Sequence, residues 1–122
     1  MRVAGIGFRR VAGIESLRAA LDAAGGTTGV SLLATAAEKA EAPVLLALAR
    51  DLGLPLRAVP RDLLSAQATA TRSARTSEAF GTGSVAEAAA LAAAGPGARL
   101  VAPRAVSPDG MATAAIAETE EP

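Results

Sequence analysis

The stretch SVAEAAALAAAG, residues 84–95, holds seven alanines and a single leucine. It constrains the fold more than any other feature of the chain. A helix with so little side-chain bulk has to lie close against whatever it covers, because dispersion and burial are lost as soon as a gap opens. The same demand runs through the whole sequence. Of 122 residues 33 are alanine, and Phe8 and Phe80 are the only aromatics. The aromatic area that usually contributes strongly to a core is missing. Ile, Leu and Val with tightly packed Ala must replace it. Hydrophobic residues make up 51% of the chain, and a chain of this length buries a core as one domain without staples.

The elements alternate along the sequence. RVAGIG (2–7) reads as a buried strand. In GIESLRAALDAAG (13–25) Ile14, Leu17, Leu21 and Ala24 recur at helical spacing, and Gly25 and Gly26 stop the helix. VSLLAT (30–35) is a second strand. Pro43 suits the first turn of the next helix, whose stripe is Leu45, Leu48 and Leu52 and whose end is Gly53. LPLRAV (54–59) is a third strand, followed by a short helix near 62–65. Residues 66–76, AQATATRSART, are small, polar and without period, as in a mobile surface loop. A helix over 84–94 is broken by GPG, and ARLVA (98–102) is a strand. The loop PRAVSPDG (103–110) leads to a last strand, MATAAIA (111–117).

Alternating strands and helices predict an α/β domain, a three-layer α/β/α sandwich with a mixed sheet of about five strands. The last two strands are joined by too short a loop for a helical crossover, so that pair is expected to be antiparallel. Residues 1–117 form a single domain in this reading, and the acidic end, 118–122, is a disordered tail.

Composition excludes several chemistries. The chain has no Cys, His, Tyr or Trp. Disulfides, thiolate metal sites, a Cys nucleophile and Ser-His-Asp catalysis are therefore ruled out within it. Carboxylates, Lys39, hydroxyls and backbone amides are what remain. No metal or cofactor is expected. Net charge is zero, but three acids sit in the tail, so residues 1–117 carry 12 basic and 9 acidic groups. Eleven of the 12 basic residues are Arg, a choice that matches GC-rich coding and also suits paired contacts to carboxylates. No apolar run reaches membrane-spanning length, the N-terminus lacks a secretory pattern, and no basic stripe with aromatics suggests nucleic acid. A cytoplasmic protein with neither membrane nor nucleic-acid partner is expected.

Three segments could hold an anion. In GTGSVAE (81–87), Ser84 and Glu87 form a capping box, and Gly81 and Gly83, with Thr82 between them, free the backbone before a helix start that can accept a carboxylate or phosphate. On residues alone a turn and cap is favoured over a ligand site. GIGFRR (5–10) ends a strand with Gly5 and Gly7 and adds Arg9 and Arg10. TAAEKAEAP (35–43) follows another strand and places Lys39 between Glu38 and Glu41. Ligands of open α/β sheets gather beyond the carboxyl ends of strands.

Taken together these pieces resemble one family. The start GIGFRR, the segment LLATAAEKAEAPVLLALARDLGLPL (32–56), SEAFGTGSVAEAAALAAAG (77–95) and RLVAPRAVSPDGMATAAIA (99–117) look like the C-terminal domain of CbiG and free-standing CobE of cobalamin biosynthesis. The resemblance covers nearly the whole chain and is closer to free-standing CobE, since 122 residues leave no room for the N-terminal part of CbiG. It implies an α/β/α fold and a role in building the corrin ring. As ligand-binding positions it implies Gly5, Gly7, Arg9, Lys39, Glu41, Ser77, Gly81, Thr82, Gly83, Ser84 and Arg104. Phe8 stands where many relatives have Cys, so a thiol role is absent here. The partner implied is a polycarboxylate precorrin or hydrogenobyrinic-acid-type intermediate, carried or presented to another pathway enzyme. Two alternatives stay open. One is lactone opening of the cobalt-precorrin-5A hydrolase kind with Glu41 or Glu87 as base. The other is a structural subunit of a pathway enzyme.

Overall fold

In β1, Arg2–Phe8, side chains of alternate residues face opposite layers, and both layers are apolar. Ala4 and Ile6 face one helical layer and Val3 the other. Burial on both sides explains why the strand reads as a continuous apolar run. The computed structural model describes residues 1–67 and 84–120. Its five-stranded sheet has the order β3-β2-β1-β5-β4, with β2 at Leu32–Ala36, β3 at Leu56–Val59, β4 at Arg99–Val106 and β5 at Ala112–Glu118. β1, β2 and β3 are mutually parallel, while β5 runs antiparallel to both β1 and β4. The mixed sheet and the antiparallel last pair agree with the sequence reading.

Helices α1 (Ile14–Ala23) and α2 (Pro43–Leu52) cover one face, with Leu17, Leu21, Leu45 and Leu48 buried against Ala4, Ile6, Leu33 and Ile116. The other face carries α3 (Arg61–Ser65) and α4 (Val85–Ala94). Helix ends follow the residues expected. Pro43 opens α2, and Gly53, at φ 68°, closes it by donating to the carbonyls of Ala49 and Arg50. Gly26, at φ 88°, lets its N–H return to the Leu21 carbonyl at the end of α1.

The alanine helix behaves as its composition demands. Apart from Val85 and Ala92, every residue of α4 is buried. It lies so close to β1 that a methyl group on Gly5 would come within 2.0 Å of the Ala86 carbonyl oxygen and 2.7 Å of the Ala90 nitrogen.

Two boundaries differ from the sequence reading. The segment 103–110, expected as a loop, is half strand, since β4 continues through Pro103 to Val106. Proline is tolerated because β4 is an edge strand and because its register against β5 shifts here: Ala102 pairs with Ile116 but Ala105 pairs with Ala114. Pro cannot donate to a ladder, and edges and bulges are where that costs nothing. At the other end, Glu118 belongs to β5 rather than to a disordered tail. Its carboxylate binds Arg2 at 3.1 Å and Arg99 at 3.5 Å. The Thr119 N–H then donates to the Met1 carbonyl, and the Met1 ammonium to the Thr119 carbonyl. No described helix is long and apolar enough to cross a membrane.

Candidate functional site

At the carboxyl end of β1 the sheet opens. The β1–β2 ladder ends at the pair Gly5 and Ala34, whereas β1 stays paired with β5 as far as Phe8. The β1 carbonyls that lose β2 find side chains instead. Thr35, a buried residue, donates its hydroxyl to the Ile6 carbonyl at 2.7 Å. Lys39 follows β2 in a short 3₁₀ turn, Ala37–Lys39, and donates its ammonium to the Phe8 carbonyl. The ammonium also stands 4.9 Å from the centre of the Phe8 ring, a cation–π distance. Lys39 thus sits beside the Gly5–Arg10 turn, and it braces that turn. Glu41, two residues on, is exposed and precedes the start of α2.

The next turn carries Arg9 and Arg10, both exposed. It is tied down by the hairpin between β4 and β5. The Arg9 N–H donates to the Met111 carbonyl, and the Met111 N–H to the Asp109 carboxylate at 3.0 Å. Asp109 also accepts from the hydroxyls of Ser107, at 2.6 Å, and Ser16, at 2.5 Å. Ser16 is in the first turn of α1, so one carboxylate links the hairpin to the helix that follows the Arg9–Arg10 turn. These contacts, the Ser107 and Ser16 hydroxyls first and then the Met111 N–H, lower the Asp109 pKa to about 2. Asp109 did not figure among the sequence candidates. Its signal is the SPDG turn, in which a Ser and an Asp two residues apart can bond each other and the returning backbone.

The start of α4 reaches the same edge. A methyl group on Gly7 would lie 3.5 Å from Val85 Cβ, and Thr113 donates to the Gly7 carbonyl at 3.3 Å. Ser84 caps α4 as expected, its hydroxyl oxygen accepting from the Glu87 N–H at 3.2 Å. The Glu87 side chain departs from the capping-box expectation in one respect. Its carboxylate accepts from the Arg104 N–H of β4 at 2.8 Å, and Glu87 is fully buried. Gly5 is placed differently from the reading as a ligand contact: it is buried in mid-strand, where its missing side chain admits α4. Gly7, Arg9, Lys39, Glu41 and Ser84 lie toward the carboxyl edge. Arg104 is half-buried on the edge strand β4, two strand spacings from β1, or about 10 Å. Ser77, Gly81, Thr82 and Gly83 lie outside the described residues.

The described cations differ in what engages them, and Arg61, at the start of α3, also has a partner. Around the opposite, amino edge Arg2 and Arg99 share Glu118. Arg57 donates to the Ala93 carbonyl at the end of α4, and Arg50 lies in the last turn of α2, where the helix dipole favours a cation. Arg18 pairs with Asp51 across α1 and α2. The guanidinium groups of Arg9, Arg10 and Arg104 have no such partner among the described residues. The described residues also contain no group of three or more carboxylates able to hold a metal.

CobE, a protein from the cobalamin (vitamin B12) biosynthetic pathway, has a similar crystal structure. It superposes with a TM-score of 0.84 at 32% identity, over 98% of this chain and 90% of that one. Cobalamin biosynthesis protein chiG from Agrobacterium tumefaciens strain C58 is 41% identical, with a TM-score of 0.72 over 99% of this chain and all of that one. No match was found among curated protein sequences. The family profile described as cobalamin synthesis G C-terminus matches residues 2–117. With that match spanning nearly the whole sequence and the fold shared with two cobalamin biosynthesis proteins, the chain belongs to the CbiG C-terminal family of cobalamin biosynthesis.

Proposed function

We propose that this protein binds a polycarboxylate corrin precursor, a precorrin or hydrogenobyrinic-acid-type intermediate, at the carboxyl edge of its sheet and carries or presents it to a pathway enzyme. The observation behind this reading is the distribution of unpaired cations. Arginines around the amino edge are engaged by carboxylates or helix ends, while Arg9 and Arg10 stand exposed, with no partner among the described residues, where α/β proteins bind ligands. Such an intermediate is an apolar macrocycle fringed by acetate and propionate groups. Each charge-assisted hydrogen bond to that fringe contributes roughly 1.5–3 kcal/mol when shielded from water.

Lactone opening is less well supported by the geometry. Of the two candidate bases, Glu87 is buried and accepts a backbone N–H, and Glu41 is exposed with no described neighbour to orient it. Cytoplasmic residence accords with both readings.

An absorbance titration of hydrogenobyrinic acid with the intact protein tests the proposal. The parent should shift the corrinoid spectrum, and the Arg9→Gln/Arg10→Gln variant should bind about ten- to a hundred-fold more weakly at low salt. Turnover of a precorrin lactone by the parent, lost in Glu41→Gln, would favour hydrolysis instead. A parent that leaves the spectrum unchanged at millimolar protein would sink the binding proposal.

A further inference from the structure

Resting on that binding reading, we infer that Glu87 is a positioning residue whose buried carboxylate fixes the β4 bulge and so sets where Arg104 stands. Between Ala102 and Ala105, β4 advances three residues while β5 advances two. A bulge of this kind leaves a backbone donor without its ladder partner. Pro103 has no N–H, so Arg104 carries the orphan. Arg104 is half-buried, and an N–H turned from water without a partner would weaken the bulge, because backbone donors away from solvent are almost always paired. Glu87 supplies the acceptor, reaching across from α4 with its carboxylate 2.8 Å from the Arg104 nitrogen.

The consequence for the site follows from where the charge is used. Glu87 meets Arg104 through the backbone, and no described carboxylate forms an ion pair with the Arg104 guanidinium. The Arg104 backbone is held in place, and its guanidinium keeps its own donors for a ligand. Glu87 also sits three residues after Ser84, whose hydroxyl oxygen accepts the Glu87 N–H. One residue therefore couples the capped start of α4 to the edge-strand arginine. In this assignment Glu87 contacts no substrate and reaches the ligand through Arg104.

The test is a double-mutant cycle on the intact protein, with hydrogenobyrinic acid as probe and absorbance as readout, combined with amide hydrogen exchange. Arg104→Gln should weaken binding about ten- to a hundred-fold. Glu87→Ala should weaken it by a similar factor, and the double variant should bind no worse than Arg104→Gln alone, as expected of groups acting through one contact. Glu87→Gln, which keeps an acceptor oxygen, should bind like the parent and preserve slow exchange at the Arg104 amide. Glu87→Ala should speed exchange there while Ala34, in the centre of the sheet, stays protected. If Glu87→Ala does not fold, the Glu87→Gln arm decides. Lost affinity with the Arg104 amide still protected would mean that Glu87 acts by its charge, and would overturn the assignment. So would single effects that multiply in the double variant, or an Arg104→Gln variant that binds like a parent shown to bind. A parent with no spectral response overturns the binding reading and this assignment with it.

Discussion

Gly5 and Gly7 are two residues apart and were both expected at a ligand, yet their surroundings give them different work. A side chain at Gly5 would meet backbone, the Ala86 carbonyl at 2.0 Å, which can move only if the whole helix moves. At Gly7 the nearest atom is the Thr113 hydroxyl at 2.8 Å, the end of a side chain that can rotate. Gly5→Ala should therefore lower stability by about 1–3 kcal/mol or more, the usual range for overpacking a core, and Gly7→Ala by clearly less. Equal denaturation midpoints for the two variants would contradict the close approach of α4. Lys39 also changes meaning. Because it donates to the Phe8 carbonyl and lies over the Phe8 ring, Lys39→Met should cost about 1 kcal/mol of stability as well as affinity. A thermal melt matching the parent would show that the brace contributes nothing to folding.

Among the elements, the helices and the succession of strands along the chain were legible because their signals are local. Pro43, Gly53 and the leucine stripe of α2 depend on neighbours three or four residues away, and the Ser84 cap depends on Glu87. What was not legible depends on distant pairing. Pro103 looked like the start of a loop because proline lacks a ladder donor, and only the edge position of β4 makes it acceptable as strand. The capping-box reading gave Glu87 a local partner, but the contact that ties its carboxylate to β4 comes from a residue 17 positions on. Asp109 was missed for the same reason, since Ser16 lies 93 residues away. That carboxylate supports a pH prediction. Its pKa is about 2 in the folded protein against an ordinary value of 3.8, so the unfolded chain binds the proton more readily. The stabilisation is present above about pH 4 and is lost as pH falls toward 2. Asp109→Asn should flatten the decline of the melting temperature across that window. Parallel profiles for parent and variant would show that the hairpin does not depend on the ionised carboxylate.

At the scale of the molecule, the fold separates two jobs. The amino edge closes the sheet, with Glu118 held by Arg2 and Arg99 and the chain ends bonded through Met1 and Thr119. The carboxyl edge opens between β1 and β2, is braced by Thr35, Lys39 and Asp109, and presents Arg9 and Arg10. The sequence indicated the family and most of the residues at that edge. It could not indicate which cations are unpaired, because pairing is set by strand order. The most direct measurement of the central claim is a map of backbone amide shifts during titration with hydrogenobyrinic acid. Phe8–Gly13, Ala37–Glu41 and Ser107–Met111 should shift together and saturate at one concentration, while Gly53, Leu100 and Thr119 stay still. Shifts centred on the amino edge, or spread evenly over the surface, would contradict that claim.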